Sequence, residues 1–345
     1  MKSPQKPRAK PLVARQSPPA AGGPPPPRPA QTGTAASLRL QRILVPVDFS
    51  GPSIAALRFA LPLARQTGGR IDLLHVVAPF VVPLEASDFH GKWDQYQARQ
   101  KRAAVARLRR LAAAKLDRPL RGDVLVREGS PAAVITAMAQ ERDSDLLVLS
   151  TQGLTGLKRF LLGSTVEAVV RRAACPVLTV RPRAMVPGGA DSIVGGGKIR
   201  RILVPVDFSD RSRSLIQYAA AFAGRFEAAL VLLHVVDHID VPARVAYMAT
   251  GLQMVVLERG IRQLQELAHH SVPQHIPAER LVRVGKPYDV IRQVASLERI
   301  DLIILATRTH GGLQRFLMGS TAARVVRHAS CPVLVLRQPS RKRMS

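Results

Sequence analysis

The run Ser150-Thr151-Gln152-Gly153-Leu154-Thr155-Gly156-Leu157-Lys158-Arg159-Phe160-Leu161-Leu162-Gly163-Ser164-Thr165 joins an apolar stretch to an amphipathic one. Glycines in such a loop let backbone N–H groups come close to a phosphate. A helix opening at Gly163-Ser164 adds free N–H groups and the positive end of its dipole. The hydroxyls of Ser164 and Thr165 are further donors. No Gly-Lys-[Ser/Thr] follows, so this is not a Walker-type phosphate loop. Lys158 and Arg159 could reach a phosphate or lie on a solvated face. Asp48 closes the apolar run Ile43–Val47. At the end of a strand it would face the anion-binding helix end and accept hydrogen bonds from a ligand, or cap the next helix with Ser50 and Ser53.

Other reactive side chains read more simply. Cys175 and Cys331 occupy equivalent places before an apolar run. They read as buried small residues rather than redox sensors. His75 and His234 sit inside apolar runs, as hydrogen-bonded core histidines do. His269, His270 and His275 lack an acidic or cysteine partner at metal-binding spacing and read as a solvated helix end. The arginines of Lys101–Arg110 read as an exposed helix face. No nucleophile–base pairing stands out, so at most a slow ATPase is expected.

These residues need a scaffold. Ile43–Val47, Ile71–Val77, Val124–Val126, Leu146–Leu149 and Val177–Val180 read as strands. Helices are expected over Ser53–Thr67, where Pro62 should disturb the pattern, and along the face Val105, Leu108, Ala112, Leu116. Further helices are expected from Pro131, with Ser130 as cap, and over Ser164–Ala173. Alternating strands and helices predict an α/β fold, a parallel sheet covered on both faces. Ligands of such sheets bind beyond the carboxyl ends of the strands, where the strand order reverses. Asp48, Val76 and the segment after Leu149 fall there.

The chain has 345 residues, 46% apolar and 22% charged, which excludes disorder throughout. No apolar stretch is long enough to span a bilayer, and no secretory signal is expected in the first forty residues. Two cysteines make no disulfide framework, and a cytoplasmic location follows as the expectation. Lys and Arg number 51 against 24 Asp and Glu, a net charge of +27. Such a balance attracts polyanions, although aromatics, at 4%, offer few stacking platforms for single strands. Residues 1–39 hold ten prolines, six Lys or Arg before Arg39 and no acid, and should be a disordered basic tail. It reads as a solubilising leader, with a basic arm that touches a polyanion or a proline-reading domain as the alternative.

The remainder is duplicated. Arg42-Ile43-Leu44-Val45-Pro46-Val47-Asp48-Phe49-Ser50 returns at Arg201–Ser209, and Leu73-Leu74-His75-Val76-Val77 at Leu232–Val236, both 159 residues on. Gly163-Ser164-Thr165 returns at Gly319-Ser320-Thr321, and Cys175-Pro176-Val177-Leu178 at Cys331–Leu334, both 156 residues on. The second copy therefore lacks three residues somewhere between His75 and Gly163. Two domains are expected, at 40–182 and 199–338, with a Gly-rich linker at 183–198 and a basic tail at 339–345.

Four motifs in order, twice, resemble the universal stress protein family over about four fifths of the chain. The resemblance implies two tandem doubly wound domains, each with five parallel strands in the order 3-2-1-4-5. It also implies pairing through strand five, either between the two repeats or in a homodimer. Some members bind ATP through Gly-x-x-Gly, nine residues, then Gly-[Ser/Thr]. By this resemblance Pro46, Val47, Asp48, Val76, Ser150, Gly153, Gly163, Ser164 and Thr165 would hold an adenine nucleotide. A magnesium ion could accompany it. Ser150 stands where the motif has its first glycine. In the second repeat the candidates are Pro205, Val206, Asp207, Val235, Gly319, Ser320 and Thr321. There Ala306 and Thr309 replace both leading glycines, with Gly311 and Gly312 slightly downstream. The expected role is a stress regulator that depends on ATP or a related adenine nucleotide bound in at least the first repeat. The alternative is a nucleotide-independent interaction module, and sequence-independent nucleic-acid binding ranks behind both.

Overall fold

Valine, isoleucine and leucine fill the strands because helices cover both faces of the sheet. The computed structural model describes residues 38–78, 90–151, 163–181, 198–237, 246–307 and 319–337, with 90–94 and 246–250 as backbone only. The basic tails, the Gly-rich linker apart from Lys198, and Gly153 lie outside these residues. All described residues belong to the unit Thr32–Ser345.

In the first repeat the order is β1 (Arg42–Pro46), α1 (Gly51–Thr67), β2 (Arg70–Val77), α2 (His90–Lys115), β3 (Arg121–Glu128), α3 (Pro131–Glu141), β4 (Leu146–Ser150), α4 (Ser164–Arg172) and β5 (Val177–Val180). The second repeat has β6 (Arg201–Val206), α5 (Asp210–Phe226), β7 (Ala229–Val236), α6 (Ala246–Ser271), β8 (Ala278–Val284), α7 (Pro287–Leu297), β9 (Leu302–Thr307), α8 (Ser320–His328) and β10 (Val333–Arg337). All ten strands form one sheet in the order β3-β2-β1-β4-β5-β10-β9-β6-β7-β8. Each half is parallel with the order 3-2-1-4-5. The two halves meet at an antiparallel β5–β10 pair, with Leu178 opposite Leu334. Of the two expected uses of strand five, the structure shows the one within the chain.

Two apolar layers hold the sheet. Helices α1, α2, α5 and α6 bury Phe59, Leu108, Phe222 and Leu264 against one face. Helices α3, α4, α7 and α8 bury Ile135, Val169, Ile291 and Val325 against the other. Each fully buried side chain of this kind contributes about 1.5–3 kcal/mol relative to exposure. On α2 the expected stripe is kept by Leu108 and Ala112, while Arg99, Arg102, Arg109 and Arg110 are exposed.

Two local expectations change, and a third, the Ser130 cap, holds in position but not in its bond. Helix α1 runs unbroken through Pro62. Phe59, Ala60, Leu63 and Ala64 around it are buried, and that packing offsets the hydrogen bond a proline cannot donate. Ser130 stands at the cap position of α3, but its side chain makes no cap bond, and its carbonyl instead accepts from the Val134 amide at 3.0 Å. Strand β3 is longer than Val124–Val126, because its ends are paired along β2 although they alternate with polar residues. The three-residue difference is also located. Twelve residues separate Val77 from His90, but nine separate Val236 from Ala246.

The N-terminal edge of each half is held by a charged cluster whose polarity is exchanged. In the first repeat Arg142, just after α3, faces Asp123 and the buried Asp72, with Nε 3.5 Å from Asp72 Oδ2. In the second, the cation is Arg201 on β6, at 3.0 Å from Glu279 and 2.7 Å from Glu298. These groups lie at the opposite strand ends from the candidate site.

Candidate functional site

Each candidate site begins where the first strand of its repeat ends. Val47 donates its N–H to the Leu74 carbonyl at 2.7 Å, and its own carbonyl accepts from His75 Nδ1 at 2.7 Å. The bond fixes the proton on Nδ1 of His75. His234 does the same for Val206 at 3.0 Å. The chain then turns through Phe49 and Phe208, whose φ angles are 64° and 58°. Left-handed backbone at a phenylalanine costs roughly 1–2 kcal/mol. Contacts of the rings hold it in place: Phe49 lies 4.7 Å from the His75 ring and 4.0 Å beneath the Arg107 guanidinium, and Phe208 lies 4.0 Å from His234. The two histidines thus act on the loop that presents the aspartates.

Asp48 turns one carboxylate oxygen back onto the following helix. Its Oδ1 accepts from the Ser50 N–H at 2.9 Å and from Ser50 Oγ at 2.5 Å. Ser50 in turn accepts from the Ser53 amide and is the cap of α1. Asp207 Oδ1 accepts from Ser209 N at 3.1 Å, Ser209 Oγ at 2.6 Å and Ser212 Oγ at 3.2 Å. Neither aspartate caps its helix itself: each holds the serine at the cap position, Ser50 or Ser209, and only Ser50 makes a side-chain cap bond. These bonds also orient each carboxylate rigidly.

Beside Asp207 lies a cavity of about 420 Å³, within the range of roughly 300–1,000 Å³ typical of small-molecule sites. Its wall includes all seven residues predicted for the second repeat: Pro205, Val206, Asp207, Val235, Gly319, Ser320 and Thr321. Three helices present their N-terminal turns there, α5 through Arg211, α7 through Pro287 and α8 through Ser320. The caps of all three, Ser209, Lys286 and Gly319, make no side-chain cap bond to the helix. Converging N–H groups and dipole ends favour an anion. Leu233, Ile291 and Leu305 supply an apolar wall.

In the first repeat Pro46 ends β1, Val47 is buried, Val76 is half-buried at the end of β2, and Ser150 ends β4. Gly163 opens α4, and its N–H reaches the Thr151 carbonyl at 3.2 Å, closing the base of the loop. Ser164 and Thr165 form the first turn of α4. Thr151 is 6% exposed, and its Oγ1 has no hydrogen-bond partner among the described residues.

Sequence reasoning missed His234, Ser212, Arg211, Asp237 and the α7 entry at Pro287. The repeated spacing Asp-x-Ser-x-x-Ser, at Asp48, Ser50, Ser53 and at Asp207, Ser209, Ser212, was the available signal for the capping network. Arg211 and Asp237 carry no such signal, because the first repeat has Pro52 and Ala78 in their places. Burial pushes the thiols of Cys175 and Cys331 up to about 12, and both are half-buried and unpaired. Continuing the β5–β10 register sets them six residues apart along the pair, ~20 Å, too far for a disulfide. His269, His270 and His275 are exposed. Among the described residues no group of three or more His, Cys, Asp or Glu could hold a metal ion, and no helix is long and apolar enough to cross a membrane.

A tandem α/β protein whose anion-favouring helix ends flank a strand-end aspartate is the class these features define. The family model of the universal stress proteins matches residues 39–181 and 198–337, and the chain belongs to that stress-response family. A universal stress protein of Mycolicibacterium smegmatis is 27% identical over 300 residues, 86% of this chain and 96% of that one. Another, of Methanocaldococcus jannaschii, is 32% identical over 144 residues, covering 41% of this chain and 82% of its own. The crystal structure of a universal stress protein from Archaeoglobus fulgidus superposes with a TM-score of 0.61 at 18% identity, covering 88% of this chain and 99% of that one.

Proposed function

We propose that the chain is a cytoplasmic stress regulator that binds ATP or a related adenine nucleotide, and that occupancy shifts the population of a conformation read by a partner. The observation that carries this reading is the cavity at Asp207. Residues from β6, β7, β9, α5, α7 and α8 close around it, and uncapped helix ends face an acid and an apolar wall. That arrangement suits a ligand with an uncharged ring at one end and phosphate at the other. In the first repeat Asp48, Val76 and Ser164 occupy the corresponding strand and helix ends, and the Thr151 hydroxyl has no partner among the described residues. Magnesium would arrive with the phosphates.

The test is nucleotide carry-over. The full chain is purified and denatured, and released adenine nucleotide is counted per chain. Two equivalents are expected if both repeats bind. One equivalent, lost on Asp207→Ala and kept on Asp48→Ala, assigns it to the second repeat, and the opposite pattern to the first. No release, together with no binding of added ATP, refutes the reading in favour of a nucleotide-independent interaction module.

A further inference from the structure

The seam between the repeats gathers arginines from four elements. Arg181, at the end of β5, donates to the Arg327 carbonyl at 2.7 Å in the last turn of α8. Arg337, at the end of β10, donates to the carbonyls of Arg172 and Ala173, at 3.1 and 3.2 Å, where α4 ends. Helix α4 adds Arg171 and Arg172, and α8 adds Arg324, Arg327 and His328. Glu167 is the single acid of α4 and α8. It lies 3.9 Å from Arg171 and 3.7 Å from Arg327, and so spans the seam. The acids of the flanking helices are Glu141 at the end of α3, and Asp289 of α7 with Glu298 just after it, the last held by Arg201. Six arginines thus gather at these helix and strand ends, and among the described residues of α4 and α8 Glu167 is the one carboxylate beside them. Burial first, and then the charges of Arg181, Arg327 and Arg324, lower the pKa of His328. Arg171, Arg172 and Arg324 are exposed.

We propose that this seam binds the phosphate backbone of a nucleic-acid duplex without reading its sequence. Like charge concentrated on one face is the electrostatic footprint of such binding. The antiparallel β5–β10 pair gives the face an approximate two-fold axis, and a duplex has two-fold axes across its grooves, so symmetry of ligand and surface match. Single strands are disfavoured because Tyr288, the aromatic neighbour, is covered by the Arg324 guanidinium 4.0 Å above its ring. No apolar residue stands out among the exposed positions of α4 and α8 to anchor the face in a lipid bilayer. The inference stands apart from the nucleotide reading, since it uses the C-terminal ends of α4 and α8 rather than their N-terminal ends.

The experiment is fluorescence anisotropy of the full chain with two unrelated 20-base-pair duplexes across a salt series. Both should bind alike. The Arg172→Gln/Arg324→Gln variant should lose roughly tenfold in affinity, and its log–log salt slope should flatten by about 1.8, from ~0.9 per phosphate contact. The control Arg109→Gln/Arg110→Gln carries the same charge change on exposed positions of α2, across the sheet, and should bind like the parent. Unchanged thermal unfolding of both variants shows that they fold. Equal losses in both variants, or none in the seam variant, would overturn the proposal by showing that overall charge or the basic tail binds. Preference for vesicles of anionic phospholipid over duplex would overturn the partner class.

Discussion

Arg181 and Arg337 are exchanged between the repeats: each leaves its own strand to close the last turn of the other repeat's helix, Arg181 on α8 and Arg337 on α4. A cation among the last carbonyls of a helix satisfies orphan acceptors and complements the dipole. Burial lowers the pKa of both guanidiniums, yet they stay charged throughout the physiological range. Their exchange ties the repeats together where the strand pair is only three residues long on each side.

Arg181→Ala and Arg337→Ala should each lower stability by about 1–2 kcal/mol. Urea denaturation measures the loss. A separate early transition of one repeat in the double variant would show that the seam supplies the cooperativity between halves. Losses below about 0.3 kcal/mol would show that the exchanged bonds contribute little.

Asp48 both holds Ser50, the cap of α1, and stands at the candidate ligand site, and two substitutions separate these roles. Asp48→Asn keeps an acceptor for Ser50 and should cost little stability. Asp48→Ala removes it and should cost ~1 kcal/mol. If the carboxylate also contacts the nucleotide, both variants lose affinity. If only Asp48→Ala does, the loss arises from a disordered α1 entry. Calorimetric titration beside thermal unfolding distinguishes the two.

Helices α1 and α5 both end in left-handed backbone, at Gly68 with φ 71° and at Glu227 with φ 54°. A side chain at Gly68 would meet nothing within 4 Å, so its cost is conformational. Gly68→Ala should destabilise by about 1 kcal/mol. Glu227→Gly should stabilise by about 0.5 kcal/mol. The Lys198 partner it forfeits is at 3.3 Å with both side chains 74% exposed, a pair worth little. Denaturation midpoints moving in the opposite directions would refute this account.

The thiols of Cys175 and Cys331 ionise near 12 in the fold but near 9.0 when free. The fold therefore disfavours the thiolate. Below pH 9 both states are protonated and stability is intact. As pH rises toward 12, the unfolded chain releases its protons first and stability falls. The Cys175→Ala/Cys331→Ala chain should lose less stability over that window. At pH 8, native thiols should react with a disulfide reagent far more slowly than denatured ones.

Much of this protein was legible in its residues alone. Alternating apolar runs and helical patterns dictate a parallel sheet covered on both faces, because only strands buried on both sides can be continuously apolar, as Leu146–Leu149 is. The duplication, and the placing of Asp207, Val235, Gly319 and Ser320 together, also follow from local sequence, since a parallel α/β sheet carries its loops to one edge. Three things needed the tertiary structure. Whether β5 pairs within the chain depends on the geometry of two complete sheets, which no local pattern encodes. The convergence of α7 with α5 and α8 on the Asp207 cavity, and the entry of Arg211 and Asp237 into its wall, depend on helix packing across the sheet. The crowding of six arginines at the seam arises because residues about 150 positions apart are spread along the chain and meet only when an antiparallel strand pair folds one repeat against the other.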